Sequence, residues 1–431
     1  MPRPRRSAPR PRPAAATPDP EVGREVELEI GPVAHGGHCV ARLDGRVVFV
    51  RHTLPGERVR ARVTETGTRF WRADAVEVLE ASADRVPSAW PEAGPGGVGG
   101  GELAHVSLPA QRRWKAAVLV EQLQRLARLD REVEVEPAPG DDERGGLAYR
   151  TRIDLVADAE GRAGMRRFRS HDVVALDGMP LATEAVAALA DAEGVWTRRW
   201  QPGARLELVA PEGASDAMLL VDDVPWRRGR ADTRPNARRA VTETVRAGGA
   251  EHAYRVAADG FWQVHRSAPD LLAGTVLDAV GDAAGSTVLD LYSGAGLFTV
   301  PLAAAVGSAG RVIAVEGDTG AVKDARRNAH DLPQVELHLG AVERVLGEGD
   351  TGVGAADVVV LDPPRTGAGR AVVDAIAQRT PGRVVYVACD PAALARDIGY
   401  LAGHGYGLTS LRAFDLFPMT HHVEAVAVLD R

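Results

Sequence analysis

The sequence predicts an α/β protein in which a C-terminal doubly wound, Rossmann-like sheet follows a small β-barrel and a β-rich central region. Three observations carry this reading. Apolar runs at Val288–Leu291, Val312–Val315, Val335–Leu339, Val358–Leu361, Val384–Ala388 and Val423–Leu429 alternate with helical stretches, the rhythm of a mostly parallel sheet with helices on both faces. The first run ends in Tyr292-Ser293-Gly294-Ala295-Gly296, where two glycines let the backbone turn sharply and approach a ligand that a Cβ would hold off. From Val22 to about Leu79 the pattern changes to short alternating runs separated by glycine turns, which reads as a small antiparallel barrel.

Length and composition set the bounds. A chain of 431 residues holds two or three domains, and the pattern divides it at 1–20, 21–80, 81–250 and 251–431. No apolar run is long enough to span a bilayer, and the N-terminus lacks the apolar core of a signal peptide, so a cytoplasmic protein without a membrane partner is expected. Cys39 and Cys389 are the only cysteines, too few for a disulfide framework or an all-cysteine metal site. The formal net charge of −7 argues against indiscriminate coating of nucleic acid, though not against a local basic groove. A monomer is the default.

Taken in order, residues 1–20 carry Arg3, Arg5, Arg6, Arg10 and Arg12 among prolines and alanines. Such a segment cannot bury enough apolar surface to fold; it either captures RNA electrostatically or is an inert extension. In the barrel, Arg58, Arg60 and Arg62 alternate with Val59, Ala61 and Val63, so the arginines share one face. With Phe70 and Trp71 as stacking groups nearby, that face suits RNA; a solvated arginine face is the alternative. A helix is expected over Pro109–Leu129 and more strands between Tyr149 and Pro225. The segment Arg162–His171 interleaves arginines with Phe168, which fits either phosphate contact or a solvated edge strand. A helix over Ala268–Val280 precedes the glycine turn.

Several residues gather at the predicted carboxyl ends of the strands, the rim where such folds bind ligands. Glu316 ends one strand, where a carboxylate can accept both hydroxyls of a ribose. Asp362 ends another, in Asp362-Pro363-Pro364-Arg365, and Cys389 a third. Glu424 stands in an otherwise apolar run, a costly position without a partner or a task, where desolvation would raise its pKa toward that of a general base; a solvated edge strand is the alternative. Gln263, in Phe261-Trp262-Gln263-Val264-His265, is free to bond a ligand, cap a helix or face solvent. His421 and His422 form a pair without further ligands at metal-binding spacing, so no metal site is expected.

The glycine turn, the strand-ending Glu316 and the D-P-P together resemble a class I methyltransferase that binds S-adenosylmethionine. His35-Gly36-Gly37 and Pro55–Val59 resemble a TRAM domain, an OB-like RNA-binding barrel. With Val385–Asp397 and Phe417–Leu429 added, nearly the whole chain is similar to the RNA 5-methyluridine methyltransferases. That resemblance implies transfer of a methyl group to C5 of a uridine in tRNA or rRNA. Cys389 would add to C6 as nucleophile and Glu424 would act as general base. Gln263, Tyr292, Gly294, Gly296, Glu316 and Asp362 would bind the cofactor.

The chain also departs from the family. Many relatives hold a [4Fe–4S] cluster, but Val98, Gly101 and Met179 stand at the matching positions, and the ligand count excludes a cluster of that type. Asp390 and His265 stand where relatives commonly carry asparagine, and a carboxylate beside the thiol would tend to raise its pKa. Two other functions compete: C5 methylation of cytosine in RNA, disfavoured by the lack of a second cysteine on the D-P-P strand, and an RNA-binding protein with a vestigial methylase site.

Overall fold

Alternation of apolar and charged residues builds the smaller of two units. The computed structural model describes residues 20–213, 217–347 and 353–431. Its smaller unit has described residues 20–32 and 38–82, and the larger comprises Val33–Gly37 and Ala83–Arg431. The tail expected over 1–20 lies, but for Pro20, outside the described residues. The small unit orders its strands Glu25–Glu29, Arg58–Glu65, Phe70–Glu80, Arg46–Arg51, His38–Leu43. The two ends are drawn together where the Gly31 N–H donates to the Val40 carbonyl at 2.8 Å. A Cβ at Gly31 would meet that same carbonyl oxygen at 2.8 Å.

This barrel differs from the expectation in two respects. One strand pair, Arg46–Arg51 with Phe70–Glu80, is parallel rather than antiparallel. More important for function, the arginine face is already neutralised. Val59, Ala61 and Val63 fill the core while Arg58 pairs with Glu80 at 2.7 Å, Arg62 with Glu25 at 2.8 Å, and Arg60 with Glu77. Trp71 is no stacking platform: it is 7% exposed, and the Arg46 guanidinium lies 4.5 Å from its ring centroid. Phe70 packs edge-on against Phe49 with centroids 5.3 Å apart.

The larger unit contains two sheets that matter here. A seven-stranded antiparallel sheet runs Val173–Ala175, Ala163–Arg166, Arg152–Ala157, Arg205–Val209, Met218–Val221, Val224–Arg227, Arg230–Ala231. Ile153, Leu155, Leu206 and Leu208 share a core with Val186 and Ala190 of the helix Glu184–Glu193. That helix is started by the Thr183 hydroxyl, which accepts from the Val186 N–H, and ended by Gly194 in the left-handed conformation.

The second sheet has eight strands, ordered Val335–Leu339, Arg311–Glu316, Thr287–Leu291, Val358–Leu361, Arg383–Ala388, Glu424–Asp430, Gly407–Asp415, Val135–Pro137. The six runs predicted from the sequence all lie in it. The first five strands in this order are mutually parallel, and Glu424–Asp430 enters antiparallel between Arg383–Ala388 and Gly407–Asp415. Two strands are not foreseen by the pattern. Gly407–Asp415 reads as a polar, weakly patterned run, and Val135–Pro137 is only three residues long. A buried ion pair ties this edge to the helix Leu108–Gln122, where Lys115 Nζ contacts Asp415 and the Phe417 carbonyl. Among the described residues no helix is long and apolar enough to cross a membrane.

The chain runs outward from Thr287–Leu291 through two further strands and then returns to Val358–Leu361 on the other side. Strand order therefore reverses between these two neighbours, and it is above the carboxyl ends at such a point that doubly wound sheets form their ligand crevice.

Candidate active site

Register brings the predicted residues together. Leu291 pairs with both Val315 and Leu361, so Tyr292, Glu316 and Asp362 each stand one step beyond a paired residue on three adjacent strand ends. Ala388 pairs with Ala425 in antiparallel register, which sets Cys389 and Glu424 as the next cross-strand neighbours. Residues far apart in sequence meet at one rim because parallel strands deliver all their carboxyl ends to the same side.

The glycine turn is pinned from below. Glu316 accepts from the Gly294 N–H at 2.8 Å and from the Asp318 N–H at 2.7 Å, which fixes its carboxylate at the mouth of the crevice. Tyr292 adopts φ +62°, in the left-handed region where a non-glycine residue is strained. Gly294 and Gly296 have φ +56° and +95°, and a Cβ placed on Gly294 would meet nothing within 4 Å. The turn therefore leaves open space directly over its backbone. Gln263 is buried rather than solvent-facing, and Phe261 beside it is 75% exposed.

One residue not singled out from the sequence sits beneath the turn. Asp290 is fully buried; it accepts from the Thr299 hydroxyl, and its second oxygen has no hydrogen-bond partner. Burial pushes its pKa up to about 7. A signal for it exists, a carboxylate inside the apolar run Val288–Leu291, and it is the same signal that marks Glu424. The buried Ser293 hydroxyl oxygen also lacks a partner. Unsatisfied polar atoms under an open glycine turn, flanked by Glu316 and Asp362, suit a ligand rich in hydroxyl and ammonium donors. S-adenosylmethionine is such a ligand, and these residues fit it.

Around the thiol the electrostatics are strongly one-sided. Burial first, then the carboxylates of Glu424 and Asp362, push the Cys389 thiol up to about 12, while Arg365 opposes them. Glu424 is 3% exposed and lies between two strands, which removes the solvated-edge alternative. Burial and then Asp362 hold its pKa well above the ordinary carboxylate range. Asp362 is itself pushed up to about 7, by desolvation and then by Asp290. The cluster thus combines a thiol, a desolvated carboxyl group and one cation, Arg365, whose guanidinium is 3.3 Å from His422 Nε2.

Asp390 pushes the thiol's pKa up, as expected, but it also has partners of its own. Its carboxylate caps the helix Pro391–Ala402 by accepting from the Ala393 N–H at 2.8 Å, and it faces His35 Nε2 at 3.1 Å. His35 and the helix amides outweigh burial and hold its pKa below the ordinary range. It acts on the thiol less strongly than Glu424, Asp362 or Arg365 does. The other departure, His265, is a buried structural residue that stacks on Tyr149 with centroids 5.1 Å apart and bonds Asp141 at 2.9 Å. His421 bonds Glu102, and no group of metal-ligating side chains occurs among the described residues.

These shifts predict a pH profile for alkylation of Cys389 by iodoacetamide. Only the thiolate reacts, so the rate should rise about tenfold per pH unit from pH 8 to 10 without a plateau. Asp362 is ionised above its pKa of about 7, and its charge raises that of the thiol. Asp362→Asn should therefore speed alkylation several-fold at pH 9 and change little at pH 6, where the wild-type carboxyl is protonated. Equal rates at pH 9 would contradict the arrangement.

Comparison with known proteins agrees with this geometry. The TRAM domain pattern matches residues 20–76, and that of tRNA (Uracil-5-)-methyltransferase matches 350–431. A third pattern, Protein-L-isoaspartate(D-aspartate) O-methyltransferase, matches 246–358, the part around the glycine turn. An uncharacterized RNA methyltransferase of Bifidobacterium longum (strain NCC 2705) is 45% identical, with 94% of this chain and 97% of the relative covered. One from Streptomyces coelicolor (strain ATCC BAA-471 / A3(2) / M145) is 46% identical over 95% and 93%. The crystal structure of Pyrococcus abyssi tRNA (uracil-54, C5)-methyltransferase in complex with S-adenosyl-L-homocysteine superposes with a TM-score of 0.68 at 23% identity, covering 93% of this chain and 99% of that one. With the crevice, the carboxylate-lined glycine turn and the D-P-P strand in place, this chain belongs to the TRAM-containing RNA methyltransferases of the tRNA (uracil-5-)-methyltransferase type, enzymes that use S-adenosylmethionine.

Proposed function

We propose that the enzyme methylates C5 of a uridine in tRNA or ribosomal RNA through a transient bond between Cys389 Sγ and C6 of the base, with Glu424 as general base. One observation carries the reading: a thiol and a buried carboxylate face each other across adjacent strands at the rim of the cofactor crevice. Uracil C5 is too weak a nucleophile to be methylated directly. When the Cys389 thiolate adds to C6, its proton having left to solvent, the C5=C6 pair moves onto C5 and the C4 oxygen. C5 then becomes nucleophilic enough to form its new carbon–carbon bond. S-adenosylmethionine would supply the electrophilic methyl group, its sulfur keeping the electron pair of the broken sulfur–methyl bond. Glu424 then takes the C5 proton, the C5=C6 bond re-forms and Cys389 leaves as the thiolate.

In this reading Gln263 binds the methionine end of the cofactor, Glu316 accepts from its ribose hydroxyls, and Tyr292, Gly294, Gly296 and Asp362 line the rest of its site. Residues 21–80 and 81–250 contact RNA, and residues 251–431 carry the chemistry. A monomer suffices, because every residue named comes from one chain. The target base has to leave its stack to reach both Cys389 and the cofactor. The test is incubation with labelled S-adenosylmethionine and RNA lacking 5-methyluridine, followed by nucleoside mass spectrometry. Label in 5-methyluridine is expected; label in 5-methylcytidine would overturn the uridine assignment. No label despite cofactor and RNA binding would point to a vestigial site.

A further inference from the structure

A second cavity lies far in sequence from Cys389, on the seven-stranded central sheet. Its volume is about 470 Å³, within the range of small-molecule sites. Apolar surface comes from Met165 and Met179, and three arginines, Arg150, Arg166 and Arg205, stand around it. Arg166 belongs to the arginine-rich Arg162–His171 segment.

What distinguishes the cavity is its acid pair. Glu207 and Asp154 are direct cross-strand partners, and both line it. Like charges directly opposite on neighbouring strands are destabilising. Glu207 is only 8% exposed. One of its oxygens accepts from Arg205, but the other, Oε2, is buried without a hydrogen-bond partner. A buried carboxylate oxygen without a donor is costly, and a bound donor would recover that cost. As carboxylates, the paired Glu207 and Asp154 only accept hydrogen bonds, so at that point of the lining they favour a ligand edge with adjacent donors. Among the RNA bases guanine alone presents two adjacent donors, N1–H and N2–H, whereas adenine, cytosine and uracil each place an acceptor beside a donor.

We propose that this cavity binds one unpaired guanosine of the RNA substrate, with its donor edge on Glu207 and Asp154 and its phosphates on the arginine rim. The site would anchor RNA at a distance from the reacting base and set which RNA is chosen. It rests on the chain being an RNA methyltransferase, and not on which base is methylated.

Met165 and Met179 line the cavity and are two of only five methionines, so their methyl groups serve as NMR reporters in the full chain. The titrants are GMP, inosine monophosphate, AMP, CMP and UMP, and uridine pentamers with or without one central guanosine. The guanosine-containing pentamer should shift both methyl signals and bind about tenfold or more tightly than its adenosine, cytidine and uridine counterparts. Inosine monophosphate, which lacks the N2 amino group, should bind more weakly than GMP. Glu207→Gln should abolish the preference while cofactor affinity is retained. Asp154→Asn, at an exposed position, should reduce it. Arg166→Ala should weaken all the nucleotides alike.

Equal affinity for all the bases, an undiminished guanosine preference in both Glu207→Gln and Asp154→Asn, or no response of either methyl group to the pentamers would overturn the proposal. A response to GMP alone would assign the cavity to a free nucleotide and overturn it as an RNA site. Because the readout is binding, these outcomes are independent of whether uridine C5 is the methyl acceptor.

Discussion

Cys389→Ala should lose methyl transfer by about 10⁵-fold or more while binding S-adenosylmethionine as well as the wild type does. The magnitude follows from removing the group that forms the covalent bond, a loss that neighbouring residues do not make up. Retained cofactor affinity follows from position. Cys389 lies on the Arg383–Ala388 strand end, whereas the glycine turn and Glu316 lie on the two strands across the point where strand order reverses. Calorimetry with the cofactor and single-turnover assays with RNA check the two halves separately. A Cys389→Ala protein still methylating uridine at a tenth of the wild-type rate would remove the adduct from the mechanism. Burial and negative charge keep the free thiol protonated, with a pKa of about 12, so the proposed nucleophile is inert at rest. It becomes a thiolate only when the charges around it change. The cationic sulfonium of the cofactor is a change in that direction.

Glu424→Gln should slow turnover by about 10²–10⁴-fold, the usual contribution of a positioned base, and should do so at a different step. Addition and methyl transfer need no proton removed from C5, whereas elimination does. The variant should therefore accumulate protein covalently joined to RNA, with the methyl group already transferred. It would be visible as a band that survives denaturing electrophoresis and carries label from the cofactor. The Cys389→Ala/Glu424→Gln double variant should show no such band. A Glu424→Gln enzyme that is slow but leaves no adduct would assign the carboxylate to an earlier step. Direction of charge supports the role assigned. Glu424 sits well above the ordinary carboxylate range because of burial and Asp362, so as a carboxylate it is a stronger base than a solvated glutamate.

How much of this is legible without coordinates depends on which physical signal carries each residue. Local patterns are reliable. The strands around the switch point are mostly apolar runs, the helix at Ala268–Val280 matches its expected bounds to the residue, and the glycines at 294 and 296 do adopt the left-handed conformation that their identity suggests. Glu424 and Asp362 stand out because a carboxylate in or at the end of an apolar strand is costly wherever the strand packs. The same rule, applied evenly, finds Asp290. Short, weakly patterned strands such as Val135–Pro137 carry too little periodicity to be seen, since pairing with Gly407–Asp415 rather than local propensity defines them.

Partners are not legible, because a partner is a fact about the other residue. The barrel arginines look available in the sequence, yet Glu25, Glu77 and Glu80 lie against them in the fold. Asp390 does raise the thiol's pKa, as its position suggests, but its cap on the helix and its contact with His35 across 355 positions of sequence are invisible there. By itself, then, the sequence determined the layered α/β architecture, the glycine turn at its first strand end and the residue types available for chemistry, because periodicity, glycine geometry and the cost of burying charge are local properties. Tertiary structure alone decided which of those residues meet. Cys389 opposes Glu424, and Glu207 opposes Asp154, only because strand register sets them side by side, and register is fixed by the packing of whole strands against a common core.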